Sequence, residues 1–126
     1  RSYSVMGRNT EASDAYAKAL PLLPDDAQLL ADYAEALALS DSDQKLAGKP
    51  TELFEKALKL DPDNPKGLYL AGMAAFQKDD YHAASEYWKR LIQSMPADSE
   101  DVRAIKQNIA EAEARAAADA DGSVTR

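Results

Sequence analysis

Few side chains in this sequence have the chemistry of an active site. The chain has one histidine, His82, and no cysteine, so it offers neither a thiol nucleophile nor a thiolate metal site. His82 stands among polar residues at an expected helix start, where a solvated surface residue is the simplest interpretation. Paired carboxylates occur at Asp25-Asp26, Asp79-Asp80 and Glu100-Asp101, each where a helix should begin and a carboxylate can cap free N–H groups. We therefore expect no enzyme, no metal and no cofactor.

One apolar stripe has the chemistry of a binding surface instead. Tyr69, Met73 and Phe76 recur at i, i+4 and i+7, which places them on one face of a helix. A second apolar stripe, of Leu68, Gly72 and Ala75, faces the opposite way. Because one helix cannot bury both stripes against the same neighbour, the first stripe has two possible fates. Either the end helix or the preceding unit covers it, or it forms an apolar groove for an amphipathic peptide helix.

Composition limits the class of protein. The 126 residues are 45% hydrophobic and 29% charged, which fits one globular domain. The net charge of −7 argues against a nucleic-acid partner, whose phosphates would be repelled. No apolar run reaches the length of a membrane span. The chain begins with Arg1 inside an expected helix, so we expect a piece of a longer protein.

The segment from Pro65 to Pro96 predicts two helices joined by a tight acidic turn. Asn64 suits an N-cap and Pro65 the first helical position, where its missing N–H costs nothing. Asp79-Asp80 should end the first helix and cap the second. Trp88 lies on the second apolar stripe, and we expect it in the core.

A repeat underlies this hairpin. An aromatic, a small or aliphatic residue and a proline recur as Tyr16-Ala19-Pro24, Phe54-Ala57-Pro62 and Trp88-Leu91-Pro96, with steps of 38 and 34 residues. A period of 34 with helix–turn–helix units is the spacing of the tetratricopeptide repeat (TPR), and the chain resembles a TPR protein. The resemblance implies an all-α helical solenoid of about three helix–turn–helix units, the first truncated, with a C-terminal capping helix.

The unit boundaries follow from the same pattern. We expect units at about 1–26, 27–64 and 65–98, a capping helix at 99–118, and a disordered tail at 119–126. In the first unit, a turn at Gly7–Thr10 should separate the end of one helix from the next. Asp25 should cap the helix after Pro24. The polar stretch from Ser40 to Pro50 is four residues longer than a standard repeat turn, and we interpret it as a surface insertion.

The TPR resemblance also implies a concave groove lined by the first helix of each pair. Carrying the groove positions across gives Gln28, Ala31, Glu35, Lys66, Tyr69, Met73, Phe76, Arg103 and Gln107, with Arg1, Ser4, Ala38, Leu70, Gln77 and Ala110 as further positions. Lys66 and Arg103 could hold the terminal carboxylate of a peptide. One TPR subclass grips acidic chaperone tails, but Glu35 would repel such a peptide.

A closer resemblance covers Leu46 to Pro96. Three features resemble the periplasmic TPR domain of the c-type cytochrome biogenesis proteins, the CcmI/CycH/NrfG family. They are the lengthened turn that ends in Gly-x-Pro at residues 48–50, the run ALKLDPDNPKGLYLAGMAAF and the run DYHAASEYWKRLI. That resemblance implies a periplasmic module, anchored in the inner membrane through its parent protein. It would bind the C-terminal segment of an apocytochrome c, or of a related haem protein, beside the subunits of the haem-ligation complex. The alternative is a TPR scaffold that assembles or oligomerises a cell-envelope complex without a peptide groove.

Overall fold

The computed structural model describes residues 2–40, 46 and 48–121, which form six α-helices and no strand. In chain order the helices are α1 (Ser2–Ala19), α2 (Ala27–Ser40), α3 (Lys49–Leu60), α4 (Pro65–Gln77), α5 (Tyr81–Ile92) and α6 (Glu100–Asp121). Each helix packs against the next, and α2 also contacts α4. Contacts between neighbours in the chain build the all-α helical solenoid that the sequence predicts.

The predicted caps of α4 and α5 are confirmed. The Asn64 side chain accepts a hydrogen bond from the Gly67 N–H at 2.8 Å, and Pro65 is the first residue of α4. The Asp80 carboxylate accepts from the Ala83 N–H at 3.3 Å and starts α5. These local hydrogen bonds set the ends of the hairpin because each satisfies an N–H that has no partner within its helix.

Two predictions near the N-terminus are wrong. No turn separates two helices at Gly7–Thr10, because α1 runs unbroken from Ser2 to Ala19. A single glycine costs a helix only about 1 kcal/mol relative to alanine, which the hydrogen bonds of a continuous helix outweigh. The cap of α2 is Asp26 instead of Asp25: its carboxylate accepts from the Leu29 N–H at 3.0 Å.

The capping helix is longer than expected. It begins at Glu100, where the Ser99 hydroxyl accepts a hydrogen bond from the Val102 N–H at 3.2 Å. It then continues to Asp121, past the expected end at residue 118, so residues 119–121 are helical and not part of a tail. The rest of the expected tail, 122–126, lies outside the described residues.

Two apolar clusters form the core, and α4 contributes to both. The first joins α2, α3 and α4, with Leu30, Tyr33, Phe54, Leu70 and Ala71 among its buried members. The second joins α4, α5 and α6, with Leu68, Trp88, Leu91, Ile105 and Ile109 among them. Trp88 is 2% exposed, which confirms its prediction as a core residue. The first cluster is reached from α4 by Leu70, Ala71 and Ala74, whereas Leu68, Ala75 and Phe76 pack in the second and Tyr69 and Met73 contact both.

The lengthened turn is tied to the core at one point. Leu46 is 2% exposed and belongs to the first cluster. Its N–H donates to the side-chain oxygen of Gln77, at the end of α4, at 3.0 Å. Pro50 lies in the first turn of α3 instead of ending the loop before it. Residues 41–45 and 47, the remainder of the expected insertion, lie outside the described residues.

Candidate functional site

A cavity of about 480 Å³ opens between α2, α4 and α6, the helices that form the concave side of the solenoid. Its lining is apolar in the middle and charged at the edge. The residues that line it are Gln28, Glu35, Pro65, Lys66, Tyr69, Leu91, Met95, Asp101, Ala104, Ile105 and Asn108. Leu91 of α5 and Met95, which follows α5, complete the lining between α4 and α6.

Seven predicted groove residues, including the further position Gln77, lie along this channel. Gln28, Glu35, Lys66 and Tyr69 line the cavity itself. Met73 and Phe76 line a smaller, neighbouring cavity of about 220 Å³, together with Gln77, Trp88, Asn108 and Glu111. Asn108 borders both cavities, so they form one groove along α4 and α6. We call the two parts the wide end and the narrow end.

Three predicted groove positions are buried and cannot contact a ligand. Ala31 is fully buried, Ala38 is 5% exposed and Leu70 is 4% exposed, and all three belong to the first core cluster. The small residues on α2 lie where α4 packs against it. The positions that face the groove in the motif therefore make packing contacts in this chain. The predicted positions Arg1 and Ser4 lie outside the residues whose side chains the structure describes.

The α6 residues predicted for the groove do not line its wide end. Arg103, Gln107 and Ala110 are exposed, but the α6 residues that line the wide end are Asp101, Ala104, Ile105 and Asn108. Each residue turns the helix by about 100°, so a shift of one position moves the whole face. The sequence carried a signal for the correct register. Because α6 buries Val102, Ile105, Ile109 and Ala112 against its neighbour, the groove face must lie beside that stripe and not opposite to it.

Lys66 is already paired. Its ammonium lies 2.8 Å from a carboxylate oxygen of Asp32 and 2.8 Å from one of Glu35. Partial burial lowers the pKa of Lys66, but the hydrogen bonds and charges of the two carboxylates outweigh it and raise the pKa above 10.5. Arg103 lies on another face of α6. Lys66 and Arg103 therefore do not form the carboxylate-binding pair that the sequence suggested.

The polar edge of the wide end has a connected network. The Gln28 amide donates to Asp32 at 2.9 Å, and the Asn64 amide donates to the Gln28 side-chain oxygen at 3.2 Å. Together with Lys66, these contacts link the start of α4 to α2. The network fixes the start of α4 against α2 beside the wide end.

Phe76 is partly covered by the chain itself. Its ring lies 5.1 Å from that of Tyr81, edge to face, and 6.0 Å from that of Trp88. The Arg115 guanidinium lies 5.1 Å from the Phe76 centroid, and it pairs with Glu111 at 2.7 Å. The end helix thus contacts the last residue of the apolar stripe, and Tyr69, Met73 and Phe76 are all partly buried. Cover by the chain itself therefore applies to part of the stripe, and the peptide groove stays a prediction.

The rest of the surface offers little for catalysis. His82 is exposed, and its carbonyl accepts a hydrogen bond from the Ser85 hydroxyl at 2.9 Å. Within residues 2–40, 46 and 48–121, no three histidine or carboxylate groups are placed to hold a metal ion. None of the helices in that part of the chain is long and apolar enough to cross a lipid bilayer.

Comparison with known proteins gives a consistent result. The family described as "Cytochrome c-type biogenesis protein H TPR domain" matches residues 1–102. The cytochrome c-type biogenesis protein CycH of Pseudomonas aeruginosa is 31% identical over 115 residues, which is 91% of this chain and 28% of that protein. CcmH of Escherichia coli K12, also a cytochrome c-type biogenesis protein, is 30% identical over 109 residues, covering 85% of this chain and 30% of its own length. The chain therefore spans less than a third of these relatives.

Proposed function

Because the chain belongs to the TPR-domain family of cytochrome c-type biogenesis proteins, we propose that it is a non-enzymatic peptide-binding module of the cytochrome c maturation system. It binds the C-terminal segment of an apocytochrome c and presents it to the subunits that attach haem. It works in the periplasm, and its parent protein is anchored in the inner membrane. It needs no cofactor of its own for this task, since recognition depends on surface contacts alone.

The observation that carries the proposal is the groove between α4 and α6. Its wide end measures about 480 Å³, with Tyr69, Met95, Ala104 and Ile105 among its apolar lining. An amphipathic peptide helix binds such a groove by burying apolar side chains spaced one turn apart. Partly exposed Met73 adds an unbranched, adaptable side chain at the junction with the narrow end.

The proposed contacts differ in part from those that the repeat motif suggests. Tyr69, Met73 and the edge of Phe76 supply apolar contacts from α4, while Gln28, Glu35 and Lys66 form the polar rim. On α6 the contacts come from Ala104, Ile105 and Asn108, in place of Arg103 and Gln107. Apart from Asp101, the α6 wall lies beyond residue 102, where the family match ends.

Calorimetric titration tests the proposal. The chain is titrated with a C-terminal peptide of an apocytochrome c from the same organism and, as control, with a scrambled peptide of the same composition. We expect binding of the native order only. Amide chemical-shift changes on binding should cluster at Ala104 and Asn108 and leave Gln93, on the convex side, unchanged. No binding of several such peptides, or shift changes confined to the convex side, would overturn the proposal.

A scaffold function is the second candidate, and one observation favours it. Leu22 is 81% exposed and Leu23 is 53% exposed, side by side at the corner between α1 and α2. Neighbouring exposed leucines are typical of surfaces that associate with another protein. Sedimentation of the chain and of a Leu22→Ser, Leu23→Ser variant distinguishes the two. Self-association that the double variant abolishes would support a scaffold, and a monomer that binds the peptide would exclude it.

A further inference from the structure

The charge of the groove lining differs between its two ends. Its wide end lies at the start of α4 and α6, where Lys66 and Asp101 line it, and its narrow end begins about two turns further on, at Met73, and extends to Phe76 and Glu111. Asp101 precedes Asn108 by seven residues on α6, a rise of about 10 Å. A ligand that follows the groove therefore meets two different surroundings.

At the wide end, negative charge exceeds positive charge. The single cation that lines the wide end, Lys66, pairs with both Asp32 and Glu35. These three side chains together carry one negative charge in excess. Asp101 adds another carboxylate to the lining. In the part of the chain that the structure describes, the Asp101 side chain forms neither an ion pair nor a side-chain hydrogen bond. It is exposed and therefore available to a ligand.

At the narrow end the charges balance. Glu111 pairs with Arg115 at 2.7 Å, and the Arg115 guanidinium lies over the Phe76 ring. The remaining lining there is dominated by Met73, Phe76 and Trp88, which suits an apolar side chain. The groove thus combines an apolar end with an acidic end, at a separation that one short peptide helix can span.

Resting on the proposed function, we infer that the groove selects a peptide with a cationic side chain about two helical turns from its apolar anchor. The cation, a lysine or arginine, lies beside Asp101 and Glu35 at the wide end. The apolar anchor enters the narrow end beside Met73. An acidic residue at the same position of the peptide is rejected, because it would face the excess carboxylates.

Two blocked synthetic peptides of about 15 residues, each an amphipathic helix with the same leucine and methionine stripe, provide the test. One carries lysine seven positions from its central leucine, and its twin carries glutamate there. Affinities for the whole chain are measured by calorimetry at low and high salt. We expect the lysine peptide to bind at least about fivefold more tightly at low salt, with the difference shrinking as salt screens the charges.

The variants Asp101→Asn and Glu100→Gln form a matched pair. Both remove one carboxylate from the first turn of α6 and change the net charge equally, but only Asp101 lines the cavity. Asp101→Asn should lower the affinity for the lysine peptide about threefold and should not lower the affinity for the glutamate peptide. Glu100→Gln should change both affinities slightly and by the same factor.

Each outcome separates this inference from the proposed function. Equal affinity of the two peptides, or equal effects of the two variants, would overturn the charge selection and leave the groove standing. If neither synthetic peptide binds to a chain that still binds the apocytochrome peptide, the inference is also overturned. If no peptide binds at all, the proposed function fails with it.

Discussion

The indole of Trp88 lies directly against the backbone of Gly72 on the facing helix, and its Nε1 donates a hydrogen bond to the Tyr69 carbonyl at 3.3 Å. A Cβ on Gly72 would lie 2.2 Å from that nitrogen. The contact is what allows α4 and α5 to approach closely enough to bury Trp88. Because Tyr69 also lines the groove, the same contact connects the core to the proposed site.

Gly72→Ala should destabilise the fold. The methyl group would force the indole or the helix to move, which costs about 1–3 kcal/mol and outweighs the better helix propensity of alanine. The free energy of unfolding in urea measures the effect. The double variant Gly72→Ala, Trp88→Leu provides the control: it should show a favourable coupling, because the smaller side chain leaves room for the methyl group. Additive losses would contradict the steric account.

Phe76→Ala should also destabilise the fold, so it is a poor test of binding by itself. The ring is packed between Tyr81, Trp88 and Arg115, but it remains partly exposed. We expect a loss of roughly 2 kcal/mol, less than the 3–5 kcal/mol typical of a fully buried phenylalanine. Thermal and urea unfolding measure it. A variant as stable as the parent chain would show that the ring is not part of the core.

The ion pairs of Lys66 predict a pH dependence of stability. The pKa of Lys66 is raised in the folded chain, so its contribution is complete below pH 10.5 and is lost as the pH rises through the higher folded value. The loss should be below about 1 kcal/mol, because the pair is partly exposed. Urea unfolding at pH 8 and above pH 11 measures it.

Lys66→Arg and Lys66→Met are the controls for that measurement. Arginine keeps its charge over this range, so the Lys66→Arg variant should lose less stability at high pH than the parent chain. The Lys66→Met variant has no ammonium to titrate, so the loss of stability that Lys66 causes at high pH should be absent from it. An identical pH dependence in all three proteins would show that the ion pairs with Asp32 and Glu35 do not contribute.

Asp79 should tolerate glycine better than alanine. Its φ of 65° lies in the left-handed region, which glycine adopts freely and which a Cβ disfavours. Both substitutions remove the hydrogen bond that the Tyr81 hydroxyl donates to the Asp79 carboxylate at 2.9 Å. The difference in stability between the two variants therefore measures the cost of the left-handed backbone conformation. We expect Asp79→Ala to be about 1 kcal/mol less stable than Asp79→Gly in thermal unfolding. Equal stabilities would indicate that the turn relaxes without cost.

The parts of the fold that the sequence predicted well are those with local causes. Asn64 and Asp80 define helix starts by accepting hydrogen bonds from N–H groups three residues on, and Pro65 favours a helix start through its fixed φ, so residue types and positions were enough. The burial of Trp88 followed from its place on the apolar stripe of α5. In each case the residue acts on its immediate neighbours.

The errors lie where packing between units decides. Ala31 fits the groove position of the motif, yet the approach of α4 buries it. The repeated aromatic–small–proline series ends at Pro96, before α6, so it does not fix the register of that helix, and Arg103 and Gln107 are exposed and do not line the wide end. The continuity of α1 across Gly7 likewise could not be inferred, because one glycine is compatible with a turn or with a helix.

The central claim is that a peptide binds between α4 and α6, and Ala104→Arg tests it most directly. Ala104 is exposed and lines the wide end, while Ala110 is exposed on another face of the same helix. Alanine and arginine have similar helix propensity, so both substitutions should leave the fold intact. For the apocytochrome peptide, we predict that Ala104→Arg weakens binding by more than about 1 kcal/mol and that Ala110→Arg leaves it unchanged. Unchanged binding to Ala104→Arg, or equal losses in both variants, would contradict the account.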